Sequence, residues 1–150
     1  MDMETVLRNI DFDEAAVLNR FSGNRGLMER FIRKFPQDKT FEQLRCAVEE
    51  KNSEMMLVES HTLKGISANL GFNALYEACS RMVSHLRGEK VEEALMDYED
   101  LEREYQKITE WLSKLDDYFM RLAEGAYADN QYEEPGAACL AESDRQGYHP

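Results

Sequence analysis

His61, Lys64 and Gly65 stand together in the stretch HTLKGISANLG, residues 61 to 71. An exposed imidazole is largely neutral at pH 7 and keeps a nitrogen lone pair, so it can act as a nucleophile. If it attacks a phosphoryl group, the product carries added negative charge. A lysine three residues on, one helical turn away, can stabilise that charge through a charge-assisted hydrogen bond. The two glycines need a separate reason, because each interior glycine costs a helix about 1 kcal/mol relative to alanine.

A helix that positions these residues is expected from about Glu54 to Leu70, with Asn52 and Ser53 as caps and Gly71 as its end. At about 100° per residue, Met56, Leu63, Ile66 and Leu70 fall within one arc, the core face. His61 falls almost opposite. Lys64, Gly65 and Ala68 are three, four and seven residues further on and share its exposed strip. Glycine at 65 and alanine at 68 leave the imidazole above bare backbone, open to a macromolecule. Leu57, one turn earlier, adds an apolar contact that such a partner can cover.

Other helices must hold that one in place. The segment from Asp11, with Phe12, Ala16 and Leu18 to Phe21 at helical spacing, predicts a short N-terminal helix ended by Ser22 to Asn24. A second begins near Arg25, is interrupted at Pro36, and resumes at Phe41, Leu44 and Val48. A fourth follows Asn73, carries Leu75, Cys79, Met82 and Leu86 on one stripe, and stops at Gly88. From Val91 a seam of Leu95, Tyr98, Leu101, Tyr105, Ile108, Leu112, Leu115, Phe119 and Leu122 predicts a long last helix, with a break near Asp116 and Asp117 as the alternative to continuity. Nothing alternates as βαβ. The fold class expected is all-α: an antiparallel up-down four-helix bundle with an extra short N-terminal helix. Residues 1-122 make the domain, and 123-150, with six acidic residues against the single basic Arg145, make a flexible acidic tail.

Composition narrows the function. At 150 residues there is room for one domain with a core. A net charge of −12 disfavours nucleic acid and anionic membrane surfaces, which bind through lysine and arginine. No run of eighteen apolar residues occurs and the N-terminus is acidic, so a soluble, cytoplasmic protein is expected. Cys46, Cys79 and Cys139 are an odd number without CxxC spacing, which argues against a disulfide framework or zinc cluster; reduced, mostly buried thiols are expected.

No dinucleotide, P-loop or kinase ATP-site motif is present, so the chain has no recognisable means of loading its own histidine from ATP. Helical bundles also host di-metal sites built from Glu-x-x-His pairs. This sequence has none, and Glu59 precedes His61 by the wrong spacing to share a metal. No cofactor and no metal of its own are expected. His85, off the apolar stripe, and His149 read as surface residues.

The stretch HTLKGISANLG resembles the H-x-x-K-G-x-x-x-x-x-G signature of histidine-containing phosphotransfer (HPt) domains. The similarity extends from about Ile10 through Leu115, including the FxxxF-P segment at Phe31 to Pro36 and the R-G-E at Arg87 to Glu89. It implies a phosphocarrier that takes a phosphoryl group on His61 from a receiver-domain aspartate and passes it to another. Lys64 would be the phosphate stabiliser, Gly65 the access residue, and Gly71 the helix end. The implied partners are receiver domains of hybrid sensor kinases and response regulators, with Mg²⁺ supplied by the receiver. One departure stands out: many members carry Gln or Glu twenty-two residues after the histidine, where this chain has Val83. The chain opens with its own methionine and is expected to stand alone, as a monomer, with the seam of the last helix as a route to a dimer.

Overall fold

The computed structural model describes residues 1–115. Seven α-helices follow one another: α1 (Met3–Arg8), α2 (Glu14–Arg20), α3 (Arg25–Lys34), α4 (Thr40–Glu49), α5 (Ser53–Leu70), α6 (Asn73–Arg87) and α7 (Val91–Leu112). No strand occurs among the described residues. The nearest thing to one is an isolated antiparallel bridge between Phe12 and Phe72.

Local chemistry starts these helices where the sequence places polar caps. Asp2, Asp13, Asn24 and Asn52 each accept a hydrogen bond from the backbone N–H three residues on, which satisfies one of the donors left over at a helix start. Pro36 breaks the second expected helix, and a single 3₁₀ turn, Phe35–Gln37, separates α3 from α4. Gly71 ends α5 in the left-handed conformation, at φ +73°.

Helix α5 packs between α4 and α6, and α6 packs on α7. Turns of two or three residues between neighbours in contact set successive helices antiparallel. Aromatic rings close α4 on α7: Phe41 lies parallel to Tyr105 with centroids 3.9 Å apart, and to Tyr98 at 6.2 Å. Phe35 links Tyr105, at 5.5 Å, to Phe72, at 5.0 Å edge-on. Across α6 and α7, His85 Nδ1 meets Asp97 Oδ2 at 2.5 Å, and Arg81 lies 3.7 Å from the same carboxylate. His85 is therefore part of an interhelical polar cluster with Asp97 and Arg81, which corrects its reading as a plain surface residue. Its position off the apolar stripe is what lets it reach the largely buried Asp97.

Two other expectations change. Helix α1 had no counterpart in the sequence reading, although Asp2 caps it and Met3, Val6 and Leu7 are buried in the core. Helix α7 ends at Leu112, with Leu115 still buried; Phe119, Leu122, the Asp116 and Asp117 pair and the tail from 123 lie outside the described residues. Among the cysteines, Cys79 is a buried free thiol. Cys46 is also buried, and Cys139 lies outside the described residues.

The N-terminal segment clasps the turn after α5. Asp13 N–H donates to Gly71 O at 3.4 Å, Asn73 N–H donates to Asp11 O at 3.1 Å, and a Cβ at Gly71 would sit 2.2 Å from Val17 Cγ2. Gly71 thus meets two demands, a positive φ and a close approach by α2. Gly71→Ala is expected to cost about 2–4 kcal/mol in urea unfolding, combining left-handed strain with overpacking. A loss below 1 kcal/mol would show that α2 yields freely.

Burial also shapes the alkaline limit of stability. It pushes the Cys79 thiol up to about 12 and the Tyr105 hydroxyl up to about 12, and raises Tyr98, whose hydroxyl donates to Glu102, further still. Each group keeps its proton more tightly folded than unfolded. Their contribution is therefore complete below the unfolded values of 9.0 for the thiol and 10.0 for the phenols, and is lost as pH rises toward the folded values. Thermal melts between pH 9 and 11.5 should show a falling midpoint. Tyr105→Phe should flatten that fall.

Candidate functional site

The site is built on one helix whose two sides differ in chemistry. Met55, Met56, Leu63 and Leu70 of α5 are buried, while Ile66, expected on the core face, is half-buried at its edge. Two serines missed by a search for apolar periodicity, Ser60 and Ser67, are fully buried as well. Their hydroxyls donate back to the carbonyls of Leu57, at 3.3 Å, and Leu63, at 2.8 Å, so the helix satisfies its own buried polar groups. Small residues here let α6 approach closely.

On the other side His61 is exposed, and its ring forms no hydrogen bond or ion pair among the described residues. Gly65, one turn on, is also exposed, and a Cβ built there would meet nothing within 4 Å. Packing does not require this glycine. Lys64 and Ala68 are half-buried, so the strip is less open toward its C-terminal end than helical geometry alone suggests. Arg20 accounts for part of that cover: its guanidinium donates to Ala68 O at 2.6 Å, which also accepts from the Gly71 N–H, and to Asn69 O at 3.2 Å, so it caps the last turn of α5. Leu57 is half-buried, and Val58, which the sequence reading passed over, is 47 % exposed one turn before His61.

Lys64 extends toward α6, where its ammonium lies 5.9 Å from the centroid of the Tyr76 ring. Val83 is buried, so its side chain belongs to the core and offers no polar atom to the imidazole. Glu59 is buried while His61 is exposed, and the two do not converge. Among the described residues no group of three or more His, Cys, Asp or Glu is brought together as metal ligands would be.

Beside the strip a cavity of about 420 Å³ opens between α2, α3 and α5. Phe21, Phe31, Ile66 and Leu70 give it apolar walls, and Arg20 and Lys34 stand at its edge. Phe31 is 48 % exposed and leans on Phe21 with centroids 5.4 Å apart.

The site is an exposed histidine on a helix of a bundle, with lysine and glycine in the next turn. A family model, that of the Hpt domain, matches residues 26–118. The chain belongs to the Hpt domain family. Membership carries a histidine-containing phosphotransfer role in a phosphorelay and interaction with receiver domains, and Hpt domains act as phosphocarriers rather than kinases. No curated protein and no solved structure matches the chain. The Hpt match begins after α1 and α2, so the clasp on Gly71 comes from outside it. No helix of the described residues is long and apolar enough to cross a membrane.

If Gly65 serves access and not the fold, Gly65→Ala should raise stability by about 0.5–1 kcal/mol in urea unfolding, since alanine costs a helix interior less than glycine. A loss of stability would mean that the backbone needs glycine there.

Proposed function

We propose that this Hpt protein is a phosphocarrier of a multistep phosphorelay in the cytoplasm, acting as a monomer, in which His61 accepts a phosphoryl group from a receiver-domain aspartate and donates it to the aspartate of a second receiver. The observation that carries the reading is His61 itself: exposed, without a side-chain partner among the described residues, and next to an exposed Gly65 inside the span that the family model matches. A histidine kept for packing or for a metal would be covered or shared.

In the transfer, a lone pair on the outward ring nitrogen forms the N–P bond as the P–O bond to the aspartyl group breaks. The electron pair of that bond leaves on the aspartate carboxylate, and the other ring nitrogen keeps its proton. The reverse sequence, with the second aspartate as nucleophile, discharges His61. Both phosphorylated forms are energy-rich, so the transfer is reversible. Lys64 meets the phosphoryl oxygens with a charge-assisted hydrogen bond, and the receiver brings the Mg²⁺. Carriage of this kind needs no ATP site on the chain.

Gly65, Ala68, Leu57 and the exposed Val58 form the docking strip, and the groove between α2, α3 and α5 extends it. Buried Val83 leaves the second ring nitrogen without a side-chain hydrogen bond, which supports a ring whose orientation is set when the receiver docks.

The test is incubation with a phosphorylated receiver domain and Mg²⁺, following label on wild type and on His61→Gln. Wild type should become labelled and the variant should stay below a hundredth of that level. Equal labelling of both would sink the assignment.

A further inference from the structure

Lys64 is, among the described residues, the one cation set a helical turn from His61, yet its contact is with the neighbouring helix. Its ammonium lies over the ring of Tyr76 on α6, 5.9 Å from the centroid. No carboxylate among the described residues pairs with it. Helices α5 and α6 run antiparallel away from the turn at Gly71, and the Ser67 hydroxyl meets the Cys79 thiol across their seam. Tyr76 lies three residues nearer the turn than Cys79, so it is level with about Leu70. From position 61 to position 70 the helix rises roughly 13 Å at 1.5 Å per residue. Side chains on a helix lean toward its N-terminus, which for Lys64 is the direction of His61. Over Tyr76 it is turned the opposite way.

We propose that Tyr76 is a holding site for Lys64, competing with phosphorylated His61 for the same ammonium. The proposal rests on the phosphocarrier reading of His61. In the unphosphorylated protein the ring face of Tyr76, 36 % exposed, holds the lysine on the α6 side of α5, away from the role of partner to the imidazole. When His61 carries a phosphoryl group, its doubly negative oxygens outbid the quadrupole of a neutral ring, and Lys64 swings up the helix. Tyr76 is a positioning residue: it touches no reacting atom and acts only by what it withdraws from Lys64. Its effect is to weaken the hold of the protein on the phosphoryl group, which favours passing it on.

A cation–π contact at a partly exposed site corresponds to about a two- to fivefold change in an equilibrium. The experiment measures how label divides at equilibrium between His61 and a receiver aspartate, with Mg²⁺ present. Tyr76→Leu should shift the division toward His61 by about two- to fivefold. Tyr76→Phe, which keeps the ring face, should match wild type. In a Lys64→Ala background Tyr76→Leu should have no effect. An unmoved division in Tyr76→Leu, or a shift that persists without Lys64, overturns the competition. A wild type that takes no label sinks the phosphocarrier reading and this proposal together, whereas normal labelling with an unmoved division sinks only the latter. Independently of any partner, the Lys64 ε-methylene protons of wild type should show an upfield ring-current shift in NMR that disappears on phosphorylation; its absence in the unphosphorylated protein also overturns the proposal.

Discussion

The contact on which the rest of the molecule depends is the close approach of Val17 to Gly71. A Cβ there would lie 2.2 Å from the valine methyl, and the backbone already has a φ that side chains resist. That crossing lets the chain from Asp11 to Asp13 hydrogen-bond with the backbone of Gly71 and Asn73, so the N-terminal segment holds the end of α5 and the start of α6 at once. With the turn held, the clasp adds to the packing on α4 and α6 that sets which face of α5 meets solvent at His61, and its Val17 side lies outside the span by which the family is recognised.

Helix α5 is asked to be core on one side and a bare surface on the other. The core side is met with methionine, leucine and two serines that bond to their own helix, allowing α6 to come close. The bare side is met by leaving Gly65 where nothing packs. This division explains why the two glycines of one short stretch behave so differently. Gly71 is required by the fold, whereas at Gly65 the packing leaves room for a side chain.

Most of the fold was legible because its signals are local. Asn52 caps the helix it precedes, Pro36 interrupts, Gly71 and Gly88 stop, and apolar spacing marks the inner faces of α4, α6 and α7, whereas the caps at Asp13 and Asn24 came only with the structure. Helix α1 escaped because six residues carry too short a period to register, and its stability comes from burying Met3, Val6 and Leu7 on other helices. The His85 and Asp97 pair escaped for a related reason: the partners sit on different helices, and nothing in the spacing of either shows that they face one another. Apolar spacing does not register Ser60 and Ser67, which are buried with their hydroxyls on carbonyls of their own helix.

The sequence by itself determined the all-α class, the family resemblance, and the identity of His61, Lys64 and Gly65 as a group, because one helix with a period of 3.6 residues is enough to set those three side by side. Only the tertiary structure decided that Gly71 is held by Val17 as well as by its own turn, that Arg20 covers the lower end of the strip, and that Lys64 rests over Tyr76 on the neighbouring helix. Each of these joins residues on different elements. Their distances depend on how the helices dock, and docking is settled by summed burial across the core, which no local spacing encodes.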